Sequence, residues 1–379
     1  MQRNENPSAA AGSRPGRGKR EEPGRGLGGR IGRTLLRVLA CLLTLAAALA
    51  ITVLISLRMI CSDTFPTAQQ MFVTTILETG QMKFLASWFL SPEEIQSIVD
   101  QNSMQTLDAQ VDSSLIQIGS TGQVDAGGTE EPGEDIEIVE VAGATYTGTM
   151  MIVKDPSRVS LATIYPWRDV GVTLDQLVKD SGAVAGINGG LYDSTNNTGG
   201  KPHGVIVCNG EIQYNKPEKY PGLVLVGFTE DHLLQIIDID GMSAAQVEEL
   251  VKREKIRDAV TFQEEASDTN NHFVQLIINN EARDMKGQGS GLNPRTAIGQ
   301  RADGAVLMFV TDGRGKSGHL GASSGDLIQV MQEFGAVNAA NLDGGSSSCM
   351  YYDGEYLMPS VTFYYANSSW KLPAGFVVK

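Results

Sequence analysis

Only four cysteines and four histidines occur among the 379 residues of this chain. Cys41 lies in a long apolar run and Cys61 just beyond it, which leaves Cys208 and Cys349 in expected strands, and no metal-knuckle or disulfide framework arises. Those two thiols are open either to pairing across a sheet or to burial as free groups. No His-Glu-x-x-His segment and no Gly-x-Ser-x-Gly elbow is present, which weighs against a zincin and an ordinary serine hydrolase. Gly315-Lys316-Ser317 has Val310 where a P-loop needs its first glycine, so no nucleotide is expected, and Asp238-Ile239-Asp240-Gly241 lacks the remaining ligands of an EF-hand.

Positive charge is scarce beyond the N-terminus. The whole chain carries -14, and its first 60 residues carry +7, which leaves -21 on residues 61–379. That balance excludes nucleic acid as the expected substrate, while a small anionic substrate needs only a local positive site. Residues 1–34 hold eight Arg or Lys against three Glu among Gly and Pro, and read as a disordered basic head on the cytoplasmic side. Residues 35–57 then form an apolar run of 23, enough to cross a hydrocarbon core of about 30 Å. Leu57-Arg58-Met59 follows in place of a small-x-small cleavage site, so an uncleaved single-pass anchor is expected, with an atypical cleaved signal as the alternative. The main domain then lies outside the cell membrane.

Residues 61–118 read as a helical membrane-proximal stalk: Ala68–Thr79 has helical apolar spacing, and Ser91-Pro92-Glu93-Glu94 carries an N-cap, a first-turn Pro and a Glu at the third position. Residues 119–135, rich in Gly, Glu and Asp, read as a linker. From 136 to 379 short apolar strands alternate with Asn-Gly and Asp-Gly turns at 209–210, 303–304 and 353–354, with helices at 173–180, 243–259 and 325–333. An α+β domain with a mixed β-sheet and packed helices is expected.

Two strands in this domain empty into small polar residues. Ala183–Ile187 runs into Asn188-Gly189-Gly190, and Gly335–Ala340 runs into Asn341-Leu342-Asp343-Gly344-Gly345-Ser346. Such exits present side chains and bare backbone N–H groups at a sheet edge, or simply build tight turns; two of them suggest one polar cleft. Arg295 opens a strand and Asp312 and Arg314 close the next, so a two-stranded ribbon would set them side by side. Arg295, with Arg314 and His203, is suited to gripping a phosphate, and Asp343 with Asp312 to dividing acid and base work. A structural Arg-Asp pair is the competing reading. Asp343, Asp312 and Asn341 are also the hard oxygen ligands that Ca²⁺ or Mg²⁺ accepts, and a metal-assisted P–O phosphodiesterase stays open on that ground.

Five landmarks occur in order: Asn188-Gly189-Gly190-Leu191-Tyr192, Gly199–Gly204, Arg295-Thr296-Ala297-Ile298-Gly299, Thr311-Asp312-Gly313-Arg314, and Asn341-Leu342-Asp343-Gly344-Gly345-Ser346-Ser347. Residues 144–365 thereby resemble the phosphodiester glycosidase family. The resemblance implies hydrolysis of a sugar C1–O bond whose oxygen belongs to a phosphodiester. With the N-terminal anchor, it implies a bacterial member acting on sugar-1-phosphodiesters of an anionic envelope glycopolymer or its precursor. It implies catalytic work for Asp343, Asp312 and Arg295, and substrate contacts from Asn188, Gly189, Gly190, His203, Arg314, Asn341, Gly344, Gly345 and Ser346. A catalytically silent glycopolymer-binding or assembly protein is the alternative from another class.

Overall fold

In a computed structural model of the chain, residues 27–79, 82–107, 109–119, 135–287, 289–362 and 366–379 are described, with side chains from residue 32 onward. Most of the basic head and of the 119–135 linker lies outside the described residues. Leu27–Ile60 forms helix α1, and its stretch Gly32–Ile60, whose most apolar 18 residues have a mean hydropathy of 2.8, is long and apolar enough to cross a membrane. The expected span 35–57 falls inside it. Thr44 and Thr52 donate their hydroxyls to the carbonyls of Ala40 and Ala48, which satisfies the polar side chains within the helix itself.

Residues 59–379 form a second unit. It begins with helices α2 (Pro66–Leu77), α3 (Phe84–Ser87) and α4 (Pro92–Gln101). The Ser91 hydroxyl accepts the Glu94 N–H and the Glu94 carboxylate accepts the Ser91 N–H at 2.7 Å, so the capping box expected from the sequence starts α4. Val73, Leu77, Ile95 and Val99 bury a small apolar cluster between these helices. The helices also rest against the strand-rich part: the Leu292 N–H donates to the Thr75 hydroxyl at 3.0 Å, and the Gly291 N–H to Glu78 at 2.7 Å.

The strand-rich part has the expected α+β character, and its strand pairings are antiparallel. A seven-stranded sheet and two five-stranded sheets face a shared core that includes Met151, Ile187, Ile206, Phe228, Val260, Ile298, Met308 and Phe376. The three expected hairpins are present. Asn209-Gly210 joins Gly204–Cys208 to Glu211–Lys216, with both turn residues at positive φ as a tight primed turn requires. Asp303-Gly304 joins Thr296–Arg301 to Val306–Thr311, and Asp353-Gly354 joins Met350–Tyr352 to Glu355–Met358. Helices α5 (Leu174–Asp180), α6 (Ala244–Arg253) and α7 (Ser324–Glu333) cover the sheets. Helix α6 stops six residues before the expected 259, because Lys255 turns the chain at φ 50° and Ile256–Gln263 becomes a strand. That strand pairs with both Gly204–Cys208 and Leu223–Thr229; buried on two faces, it lacks the alternation that marks an exposed strand.

Val306–Thr311, α7 and Ala336–Asn341 make a strand-helix-strand unit. The two strands do run in the same direction, but Thr296–Arg301 lies between them and is antiparallel to both. Cys208 and Cys349 are buried free thiols.

Candidate active site

The two polar exits come from different sheets. Ala185–Asn188 lies in a five-stranded sheet between Met350–Tyr352 and Ala374–Val378; Ala336–Asn341 lies in the seven-stranded sheet between Thr296–Arg301 and Gln275–Ile278. Their ends meet: the Asn188 amide donates to the backbone carbonyl of Asp343 at 2.7 Å. Its own Oδ1 accepts the Thr296 hydroxyl at 2.7 Å and the Cys349 N–H at 3.2 Å. With no solvent exposure and its amide taken up in this way, Asn188 ties the Asp343 turn to the neighbouring sheet.

Asp343 is partly exposed, and its carboxylate accepts from the Ser347 hydroxyl and the Gly344 N–H beside the Arg314 guanidinium. Burial pushes its pKa up to about 6, against the opposing pull of those two hydrogen bonds and of Arg314. Ser347 is held in turn by the Tyr192 hydroxyl at 2.8 Å. Arg314 sits at φ 53°, a left-handed backbone that costs a non-glycine residue about 1 kcal/mol or more. Its Nη1 donates to the Ser346 hydroxyl at 3.0 Å and its Nε to the Asn293 carbonyl oxygen at 3.3 Å. Gly345, at φ 62°, leaves room for it: a Cβ there would stand 2.5 Å from Arg314 Nη2. Ser346, Gly344 and Gly345 therefore belong to the turn that presents Asp343 to Arg314. Asn341, at the same exit, donates its amide to the Phe273 carbonyl at 2.7 Å, while its buried Oδ1 and the Ser348 hydroxyl have no partner among the described residues.

A sequence profile of the phosphodiester glycosidase family matches residues 181–379, more than half of the chain and all of this turn network. The chain belongs to the phosphodiester glycosidase family. An uncharacterized SPbeta prophage-derived protein of Bacillus subtilis, YomE, is 38% identical over 65 residues, which is 17% of this chain and 10% of that protein. This chain thus spans about a tenth of the curated relative that it matches. Among solved structures, it is similar to the catalytic domain of zebrafish N-acetylglucosamine-1-phosphodiester alpha-N-acetylglucosaminidase, described as auto-inhibited by its pro-peptide. That likeness has a TM-score of 0.49 at 17% identity and covers 64% of this chain and 81% of that one. A hypothetical protein from Synechocystis matches with a TM-score of 0.40 at 17% identity, over 64% of this chain and 61% of that one.

In this member of the phosphodiester glycosidase family several expected residues are placed otherwise than the sequence suggested. Arg295 is buried, with Nε donating to the Ala322 carbonyl at 3.0 Å and Nη2 donating to Glu78, to the Ser290 hydroxyl and to the Gly291 carbonyl. A bidentate grip on phosphate would require those bonds to break, so the cation available beside Asp343 is Arg314. Asp312 accepts from the Thr147 N–H at 2.8 Å, the Thr147 hydroxyl at 2.9 Å and His319 Nδ1 at 2.7 Å. It thereby closes the loop that carries Arg314, whose N–H donates to the Leu320 carbonyl at 3.0 Å. The carboxylate pair expected at 343 and 312 is two carboxylates with separate partners.

His203 stacks on Tyr220 at 4.6 Å, with burial lowering its pKa and the Asp193 charge opposing that. Gly189 and Gly190 let backbone approach backbone: a Cβ on Gly190 would stand 2.2 Å from the Thr261 carbonyl and one on Gly189 3.1 Å from the Ala374 carbonyl. Among the described residues no three His, Cys, Asp or Glu side chains converge in a way that could hold a cation; Asp343 and Asp312 are spent on different partners. Glu78, Asn293 and His319 were not singled out from the sequence, and Ser347 entered only as the last residue of a landmark. Glu78 caps the C-terminal end of helix α2, with no spacing that ties it to Arg295.

Proposed function

We propose that this protein hydrolyses glycosyl-1-phosphodiesters at the sugar C1–O bond, outside the cell membrane, on an envelope glycopolymer or its lipid-linked precursor. The observation that carries the reading is the Asp343 carboxylate held beside Arg314 in a turn of a family-matched domain. Phosphate is a competent leaving group once its charge is offset, so a single carboxylate suffices where ordinary glycosidases need a second carboxyl as acid. Asp343, ionised above pH of about 6, either takes the proton of the attacking water or bonds to C1 itself for later hydrolysis. In both routes the C1–O electron pair leaves on the phosphate oxygen, and the Arg314 guanidinium meets the charge that develops there. The buried Asn341 Oδ1 and Ser348 hydroxyl are groups that a substrate hydroxyl or a water would satisfy.

The basic residues before α1 support the extracytoplasmic placement. Protease added to intact spheroplasts should remove residues 59–379; clipping of residues 1–34 with that part protected reverses the orientation. For the activity, the full chain is incubated with N-acetylglucosamine-1-phospho-methyl-mannoside, other sugar-1-phosphodiesters and wall-polymer fragments in ¹⁸O water. Label in the sugar hydroxyl is the expected result. Label in the phosphate identifies P–O cleavage, and no turnover across the panel identifies a silent glycopolymer binder.

A further inference from the structure

Glu78 is the C-cap residue of helix α2, and its side chain is 3% exposed. Both facts work against a carboxylate: burial raises its pKa, and the C-terminal end of a helix is the negative end of its dipole. Had the helix needed only to be docked, an apolar side chain would have served as well, since replacing a buried ion pair by apolar groups is often neutral or stabilising. Instead Glu78 is saturated. Oε1 accepts the Gly291 N–H at 2.7 Å; Oε2 accepts Arg295 Nη2 and, at 3.3 Å, the Asn293 amide. The backbone of α2 approaches so closely that a Cβ on Gly291 would stand 2.2 Å from the Thr75 Cα.

The Asn293 amide is the hinge of the matter. Its Nδ2 faces Glu78 and the Thr75 carbonyl, so its Oδ1 is left to accept from Arg314 Nε. A carboxylate on one side thus dictates which end of the amide the guanidinium meets. We propose that Glu78 is a positioning residue of the active site: it fixes the orientation of the Asn293 amide and, through it, the guanidinium of Arg314. The segment before the family-matched residues 181–379 is then part of the working site and not only a tether. The inference rests on the reading of Arg314 as the phosphate grip.

Glu78→Gln puts an amide where a carboxylate stood; whichever way it lies, either the Gly291 N–H or the Asn293 amide faces another donor. Asn293→Ala removes the relay and leaves the Glu78–Arg295 pair in place, which covers the case in which Glu78→Gln fails to fold. A third protein, Glu78→Gln with Arg295→Met, removes the uncompensated buried charge. Each full-length protein is tested for folding by circular dichroism, for inorganic phosphate affinity by calorimetry, and for kcat and KM on the phosphodiester panel. Folded Glu78→Gln and Asn293→Ala are expected to lose about tenfold in phosphate affinity and in kcat, the worth of one hydrogen bond to a charged group. The double variant should regain thermal stability and not phosphate affinity.

Recovery of both in the double variant makes Glu78 a merely structural partner of Arg295 and overturns the proposal. So does unchanged phosphate affinity in folded Asn293→Ala, or turnover above wild type in either single variant, which would make α2 a cover over the site. A wild type that binds phosphate and hydrolyses nothing removes the glycosidase reading alone, and the affinities still decide the role of Glu78. A wild type that binds no phosphate overturns both.

Discussion

Replacing Asp343 by Asn should inactivate the protein and stabilise it. The folded chain holds the Asp343 proton up to about pH 6, while an unstructured Asp releases it near 3.8. Because the folded pKa is the higher one, the contribution of Asp343 to stability is whole below about pH 4 and is lost as pH rises through 6. At 1.36 kcal/mol per unit, ionising this side chain in the fold costs about 3 kcal/mol, and the partial exposure of the residue reduces that to about 2 kcal/mol. Asn copies the neutral form at every pH. For a folded unit spanning residues 59–379, with an unfolding entropy of about 2.1 cal/mol/K per residue, the gain is about 3 °C in Tm at pH 7.5. Differential scanning calorimetry from pH 4 to 8 should show the two melting curves together near pH 4, parting between pH 4 and 6 and staying a constant distance apart above that, with turnover down by about 10²-fold or more. A Tm difference that does not change with pH, or a variant less stable at pH 7.5, refutes the burial argument for Asp343.

Much of the framework was legible because it is written locally. The Asn209-Gly210 and Asp353-Gly354 turns take positive φ at both residues, and Asp303-Gly304 takes it at its glycine. The Ser91 capping box needs only four residues. The site was half legible for the same reason: the exits at Asn188 and Asp343 could be read as strand ends, and the structure joins them by one hydrogen bond. What a sequence does not carry is which cation faces which carboxylate. Arg295 and Arg314 are equally plausible partners until the third dimension shows Arg295 spent on Glu78, 217 residues upstream, and Arg314 alone beside Asp343. The strand Ile256–Gln263 was missed for a different reason, since full burial erases the alternation by which a strand is recognised.

The remaining expectations concern Arg314 and its charge. Arg314→Lys keeps the cation and loses the Nε and Nη1 bonds to Asn293 and Ser346, so kcat/KM should fall by about 10 to 10² with folding intact; an unchanged kcat/KM means that a point charge is all the site requires. Gly345→Ala meets both a φ of 62° and the Arg314 guanidinium, so Tm should drop by an amount equivalent to about 1–2 kcal/mol and turnover should fall with it; full turnover despite the lower Tm removes the need for a precisely placed Arg314. The last expectation follows from charge balance. Burial and Arg295 both push the pKa of Arg314 down while Asp343 and Glu78 push it up, so the empty site holds two guanidinium groups against two carboxylates. A bound phosphodiester adds one negative charge against Arg314 and weakens the offset that Asp343 receives. The carboxylate of Asp343 is therefore harder to ionise with substrate in place, and the acid limb of kcat should lie above that of kcat/KM, which reports the free protein near pH 6. Rates from pH 4.5 to 8 decide it: limbs that coincide, or a kcat limb on the acid side of the kcat/KM limb, show that the phosphate does not sit against Arg314.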